Sequence, residues 1–90
     1  MKFEYDPIKS QGNKAKHGID FEEAQTLWSD PFVITAEAKS DSEPRLLVVG
    51  RIGGVFWTAV ITHRGDAIRI ISVRRSHKIE EVNYGKINYS

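Results

Sequence analysis

The stretch RLLVVGRIGGVFWTAVITHRGDAIRIISVRR, residues 45–75, contains three apolar runs joined by two short turns. Gly53 and Gly54 join the first run to the second, and Arg64-Gly65-Asp66 joins the second to the third. A glycine pair between runs rich in β-branched residues is typical of a β-hairpin. The sequence therefore predicts three consecutive strands in an antiparallel meander.

The residues before this meander begin with a short extended segment, FEY at 3–5, followed by a predicted helix. Asp6 supplies an N-cap carboxylate, and Pro7 occupies the first helical position, where its missing N–H costs nothing. The helix should run to about His17, because Gly18 provides a left-handed C-terminal stop. The basic residues near that end complement the helix dipole.

A second helix is predicted to follow at once. Asp20 and Glu23 have the spacing of a capping box, and Pro31 ends the helix because the residue before proline disfavours helical geometry. The composition of the run FVITA, residues 32–36, predicts a strand, and residues 37–44 are predicted to form a polar loop.

The chain should end in a short helix after the last strand. Ser76 is placed to cap it, Ile79 and Val82 are its expected inward positions, and it should reach about Tyr84 before Gly85 limits it. The fold class is therefore α+β, with two N-terminal helices, an antiparallel sheet of about four strands and a short C-terminal helix. The helices are expected to cover one face of a curved sheet.

The last predicted strand raises a functional question, because an apolar segment carries three arginines. Alternation places Arg69 and Arg75 on one side of it and Arg74 on the other, with Ile70 and Val73 also on opposite sides. Periodicity leaves open whether Arg74 or Arg75 faces a cleft. It also leaves open a structural role in which both arginines pair with Glu80 or Glu81.

Length and composition indicate one small cytoplasmic domain covering residues 1–90. The chain has 40% apolar and 28% charged residues and no cysteine, so no disulfide or thiolate chemistry is expected. The N-terminus has no signal-peptide pattern, and no run is long enough to cross a membrane. The net charge of +1 divides unevenly, with −4 on residues 1–44 and +5 on residues 45–90, so an arginine-rich face could bind phosphates.

Several kinds of site are disfavoured by their missing motifs. The three histidines are isolated and lack metal-ligand spacing, and the sequence has neither a phosphate-binding glycine loop nor a serine nucleophile elbow. The remaining set of arginine, histidine, glutamate and tyrosine suits RNA cleavage without a metal. In that reaction a base takes the proton of the ribose 2′-hydroxyl, the oxygen attacks phosphorus, and an acid protonates the leaving 5′-oxygen. Trp28 and Trp57 lie in apolar segments and are expected in the core.

Motifs along nearly the whole chain resemble the BrnT family of bacterial toxins. The resemblance is carried by KHGIDFEEA at residues 16–24 together with IRIISVRR at residues 68–75. The other matching positions are Phe3, Glu4, Tyr5, Asp6, Lys9, Asn13, Arg45, Gly50, Glu80 and Tyr84.

This resemblance implies a RelE-like ribonuclease fold and a type II toxin–antitoxin system. It implies RNA as substrate, no cofactor, no metal, and neutralisation by a BrnA-like antitoxin through which alone the complex binds operator DNA. A heterotetramer with the antitoxin is consistent with it. The toxin would cleave RNA and inhibit translation in the cytoplasm, without a membrane partner.

The leading hypothesis from the sequence is a metal-independent endoribonuclease. The catalytic candidates are His17, Arg74, Arg75, Glu80 and Tyr84. The RNA-binding candidates are Lys16, Arg45, Arg51, Arg64 and Arg69. The alternative is a non-catalytic binding module whose arginine face holds an acidic protein or nucleic acid, and in that case Lys16 and His17 only complement the dipole of the first helix.

Overall fold

The predicted meander forms the centre of the sheet in the computed structural model, which describes residues 1–89. The elements in chain order are β1 (Lys2–Glu4), α1 (Pro7–His17), a 3-10 helix (Glu23–Ser29), β2 (Ile34–Ala38), β3 (Arg45–Ile52), β4 (Val55–Arg64), β5 (Ala67–Arg75) and α2 (Lys78–Tyr89). The three meander strands are therefore confirmed, and β2 begins two residues later than expected.

Within residues 1–89 the sheet has five strands and is mixed, which corrects the prediction of about four antiparallel strands. Its order is β1-β5-β4-β3-β2, and β1 runs parallel to β5 while the other neighbours are antiparallel. Phe3 pairs with Ile68, and its ring packs edge-on against Trp28 with centroids 4.8 Å apart. Burial of this aromatic side chain holds a three-residue strand at the sheet edge.

Both ends of α1 form as the sequence predicts. The Asp6 carboxylate accepts a hydrogen bond from the Ile8 N–H at 2.9 Å, and Pro7 is the first helical residue. Gly18 has φ 82°, and its N–H donates to the carbonyl of Lys14. These local signals therefore decide where the helix starts and ends.

The second predicted helix begins with the expected capping box. The Glu23 N–H donates to the Asp20 carboxylate at 2.7 Å, and the Asp20 N–H donates to the Glu23 carboxylate at 3.0 Å. The second predicted helix is thus present, and it is a 3-10 helix. It buries Ala24 and Leu27 against the sheet core.

The core lies between α1, the 3-10 helix and one face of the sheet, and its largest fully buried side chains include Phe21, Leu27 and Val48. Ile70 and Val73, which alternation predicts on opposite faces, are both buried in this core. The reason is a register shift beside Val60 and Ile61, which leaves Ile71 as an extra residue in β5. Such a bulge reverses the strict alternation beyond it.

α2 differs most from its prediction. It continues through Gly85 to Tyr89, and its buried residues are Glu80 and Tyr84. Ile79 and Val82, predicted to face inward, are 62% and 36% exposed. The inward side of this helix can be polar because Arg74 forms hydrogen bonds with Glu80 and Asp30 accepts one from Tyr84.

α2 also lies on the opposite side of the sheet from α1. Its Tyr84 ring contacts Phe56 with centroids 5.0 Å apart, and its Glu80 accepts a hydrogen bond from Thr58. Side chains alternate along β4, so Phe56 and Thr58 face away from Ala59, which lies in the main core. The prediction that helices cover one face is therefore wrong, because helices pack on both.

Gly50 is a position where any side chain would crowd the structure. A Cβ atom there would lie 3.1 Å from Leu27 Cδ2 and 3.3 Å from Asp30 Oδ2. We expect Gly50→Ala to lower the free energy of unfolding by about 1–3 kcal/mol, as overpacking does. Gly12, in α1, has open space around it, so Gly12→Ala should raise that free energy by about 0.5–1 kcal/mol. Urea unfolding of the two variants checks both signs, and equal stabilities would contradict this packing.

Candidate active site

Arg75 ends β5 on the side of the sheet that carries α1. It is exposed, and its guanidinium lies over the Trp57 ring, 5.6 Å from the centroid. It forms no salt bridge within residues 1–89. An exposed guanidinium held by an aromatic ring, with no carboxylate beside it, is free to bind an anion.

Asn13 fixes α1 against this part of β5. Its amide nitrogen donates to the carbonyls of Ile19 and Val73 at 2.8 and 2.9 Å, and its oxygen accepts from the Val73 N–H at 3.2 Å. Asn13 is buried, so these bonds are shielded from water. Asn13 is one of the positions that carry the family resemblance, but the sequence predicts no role for it.

His17 and Lys16 lie at the same end of the sheet as Arg75. Glu4, at the end of β1, pairs with Arg69 near the start of β5, whereas Asn13 in α1 bonds to Val73 near the end of β5. Between these two points the chain has moved along β5 toward Arg75, and α1 continues in that direction. His17 is one helical turn beyond Asn13 on the same helix face. By this direction we infer that His17 and Arg75 lie toward the same end of the molecule.

Arg74 points to the opposite face, where it forms a two-bond ion pair with Glu80. Its two terminal nitrogens donate to the two carboxylate oxygens at 2.8 and 2.9 Å, and one of them also donates to the carbonyl of Arg75 at 3.2 Å. The bond to Glu80 raises the pKa of Arg74. The sequence left open whether both arginines pair with Glu80 or Glu81. Arg74 does pair with Glu80, and Arg75 does not.

Glu80 is surrounded by hydrogen-bond donors. Besides Arg74 it accepts from the Thr58 hydroxyl at 3.0 Å and from the His77 N–H at 2.7 Å. The bond to Arg74, followed by those from His77 and Thr58, lowers the pKa of Glu80 from 4.5 to about 2 against the opposing effect of burial. A carboxylate with so low a pKa is a weak base at neutral pH.

Tyr84 is buried under the same helix and is bound to a carboxylate. Its hydroxyl donates to Asp30 at 2.9 Å, and burial together with this bond raises the pKa of Tyr84 to about 12. Asp30 also accepts from the N–H groups of Phe32 and Arg51, both at 2.9 Å. These bonds lower the pKa of Asp30 although burial opposes its ionisation.

The RNA-binding candidates are divided between two regions. Lys16 and Arg51 lie at the Arg75 end of the sheet, and the Arg51 guanidinium lies over the Phe56 ring, 5.3 Å from the centroid. Arg69 is six residues from Arg75 along β5, roughly 20 Å away.

The other three RNA-binding candidates, Arg45, Arg64 and Arg69, lie at the opposite end of the sheet from Arg75. Arg69 faces Glu4 at 3.9 Å, and Arg64 faces Glu43 at 3.7 Å. Arg45 begins β3 opposite Ala38. One RNA phosphate could not reach both regions.

A polar network beneath α2 includes Asp30, Thr58 and Ser76, which were not predicted as site residues. Thr58 and Ser76 share a hydrogen bond of 2.8 Å, and the Ser76 N–H donates to the Phe56 carbonyl. The available sequence signal was Thr58, a hydroxyl in the middle of an otherwise apolar strand. Such a residue needs a partner when it is buried.

Residues 1–89 contain neither a metal-type cluster nor a helix that could cross a membrane. No group of three or more histidine, aspartate or glutamate side chains in this range is arranged to hold a metal ion. No helix in it has the length and apolar character needed to span a membrane.

Comparison with known proteins assigns the family. No curated protein matches the chain in a sequence search. A family model described as the ribonuclease toxin BrnT of type II toxin–antitoxin systems matches residues 5–80, which covers most of the chain. The chain therefore belongs to the BrnT family of ribonuclease toxins of type II toxin–antitoxin systems.

Proposed function

We propose that this protein is an endoribonuclease that cleaves RNA without a metal ion, at the end of the sheet where Arg75 and His17 lie. The observation that carries the proposal is the exposed Arg75 guanidinium, held over Trp57 with no carboxylate partner within residues 1–89. A cation of this kind can stabilise the charge that builds on a phosphate during cleavage, without first breaking an ion pair.

His17 is the proposed base. Histidine accepts and donates protons near neutral pH, and it can take the proton of the ribose 2′-hydroxyl. The 2′-oxygen then bonds to phosphorus, and the bond from phosphorus to the 5′-oxygen breaks. The leaving oxygen takes a proton from Lys16 or from water. The products are a 2′,3′-cyclic phosphate and a 5′-hydroxyl.

Arg74, Glu80 and Tyr84, which were candidates for direct catalysis, are proposed to position the site. The bond from Arg74 to the Arg75 carbonyl fixes the backbone that presents Arg75, and Glu80 holds Arg74 in place. Tyr84 anchors α2 through Asp30. Low basicity of Glu80 and burial of Tyr84 support this division of roles.

The cellular role follows from family membership and the same proposal. A type II toxin implies an antitoxin partner. We propose that this partner is BrnA-like, that the heterotetramer and operator binding arise through it, and that RNA cleavage inhibits translation in the cytoplasm. The RelE-like relationship of the fold and RNA binding by Arg45, Arg64 and Arg69 also stay proposals.

The test is cleavage of RNA by the purified chain with a chelator present. We expect wild type to cleave and to leave 5′-hydroxyl ends, and His17→Ala to cleave about 100-fold more slowly, as expected for loss of a general base. Analysis of product ends separates this chemistry from hydrolysis that leaves a 5′-phosphate. Cleavage only after a divalent cation is added would overturn the proposal, and RNA binding without cleavage would favour the binding module.

A further inference from the structure

An open pocket of about 430 Å³ lies next to α2, at the same end of the sheet as the proposed active site. The end of the 3-10 helix, the β3–β4 turn and the last turn of α2 form its walls. The lining residues used below are Asp30, Phe32, Arg51, Gly53, Tyr84 and Tyr89. Its volume is within the range of pockets that hold small organic molecules.

Two aromatic rings stand exposed at the pocket. Phe32 is 44% exposed and Tyr89 is 65% exposed, and their ring centroids are 5.8 Å apart with the planes tilted by 44°. Because the rings are not stacked on each other, a flat group can contact a ring face. Exposed aromatic rings in a concave site are a common platform for bases of single-stranded nucleic acid.

The polar groups of the pocket favour binding of an anion beside the Arg51 guanidinium. Arg51 contributes an exposed guanidinium with no salt bridge inside residues 1–89. The neighbouring Asp30 already accepts three hydrogen bonds, from two backbone N–H groups and the Tyr84 hydroxyl. Its charge is therefore partly balanced, and the guanidinium stays available for a phosphate.

The pocket lies close to Arg75. Arg51 pairs with Phe56 across the β3–β4 ladder, and Arg75 pairs with the next residue, Trp57, across the β4–β5 ladder. Two strand pairings of about 5 Å each and one residue step place the two arginine Cα atoms roughly 10–14 Å apart. Phe56 and Trp57 face opposite sides of the sheet, so the two guanidinium groups lie on opposite faces at one end of it, and an RNA strand that contacts both must pass around that end.

We propose that this pocket holds one nucleotide of a single-stranded RNA, with its base on Tyr89 and Phe32 and its phosphate at Arg51. This deepens the proposed function by assigning a subsite next to the cleavage site. The base held there would influence where the RNA is cut. The size of the pocket suits a single base and ribose, whereas a helix of a protein partner needs a longer groove.

The binding test uses AMP, GMP, CMP and UMP separately, monitored by amide shifts of the full chain in NMR titrations. We expect shifts at Phe32, Gly53 and Tyr89, and we expect Tyr89→Ala to weaken binding roughly tenfold, as loss of a base-stacking ring does. Arg51→Ala should weaken binding of the nucleotides more than binding of the matching nucleosides. Ile87→Ala, an exposed change on the same helix, and Lys39→Ala, which removes a distant cation, should both bind as wild type does.

The cleavage test uses a mixed-sequence RNA at low concentration. Tyr89→Ala and Arg51→Ala should change the distribution of cut sites and raise KM. Unchanged cut sites and KM, or no shift in the pocket with any nucleotide, would overturn the subsite. Loss of antitoxin binding in Tyr89→Ala with nucleotide binding unchanged would also overturn it and assign the pocket to the protein partner. The nucleotide-binding test does not depend on RNA cleavage. Failure of wild type to cleave RNA would therefore overturn the proposed function, whereas the nucleotide titrations alone decide whether the pocket binds a nucleotide.

Discussion

Arg75→Ala is expected to lower the rate of RNA cleavage about 100-fold or more at saturating RNA. Removing one preorganised donor to a developing negative charge commonly has an effect of this size. Arg75 is exposed and contacts the Trp57 ring without a salt bridge in residues 1–89, so its loss should change stability by less than about 1 kcal/mol. Cleavage rates and urea unfolding of the same preparation measure the two effects separately.

Two further variants make the Arg75 result specific. Lys39→Ala removes an exposed cation near the Arg45 end of the sheet and should cleave as wild type does. Arg75→Lys keeps a charge but loses the planar pair of donors, and it should recover only part of the rate. An Arg75→Ala protein that is folded and cleaves at the wild-type rate would show that this guanidinium does not contact the reacting phosphate.

Glu80→Gln is expected to lower the free energy of unfolding by about 2–3 kcal/mol at pH 7. The amide keeps the size of the side chain but loses the charge and turns an N–H group toward the Arg74 guanidinium. It also weakens the bonds from Thr58 and the His77 N–H. Breaking a partly buried ion pair leaves the remaining charge without compensation, which accounts for the size of the effect.

The pH dependence of stability tests the same ion pair. The pKa of Glu80 is lowered from 4.5 to about 2, so its contribution of about 3 kcal/mol is complete above pH 4.5 and is lost as pH falls toward 2. The stability difference between wild type and Glu80→Gln should therefore shrink across that interval. Glu81→Gln, on the same helix and without a salt bridge in residues 1–89, should change stability by less than about 0.5 kcal/mol. A difference that is constant from pH 7 to pH 2 would contradict the assigned ion pair.

Local signals predicted the parts of the fold that depend on neighbours in sequence. Asp6 and Pro7 start α1 and Gly18 ends it, because capping, proline geometry and a left-handed residue act over a few positions. The glycine pair at 53 and 54 likewise marks the β3–β4 turn. The sequence was sufficient at these points because no distant residue competes with the local preference.

Parts that depend on distant residues were missed or mistaken. The pairing of β1 with β5 joins residues more than sixty positions apart, and nothing in a three-residue strand specifies that partner. The inward face of α2 was assigned from Ile79 and Val82, but the fold buries Glu80 and Tyr84 because Arg74 and Asp30 satisfy them. The spacing of apolar residues along a helix cannot predict that a polar side chain with a hydrogen-bond partner is buried.

The same limit applies to the site. The sequence grouped Arg74 with Arg75, whereas adjacent residues on a strand point to opposite faces. Alternation showed that they separate, but only the position of Glu80 reveals which of them is occupied by an ion pair. Asn13 holds α1 against β5 near Arg75, and its three hydrogen bonds to backbone groups follow no sequence motif.

The most direct measurement is an NMR titration with a short RNA that carries 2′-O-methyl ribose at each position, so that no 2′-hydroxyl is left to attack phosphorus and the RNA resists cleavage. We expect the Trp57 indole signal and the amides of His17, Gly18 and Arg75 to shift together, and we expect Arg75→Ala to weaken this binding. Shifts confined to the far end of the sheet, around Arg64 and Arg69, with the Trp57 indole unchanged, would contradict the placement of the active site.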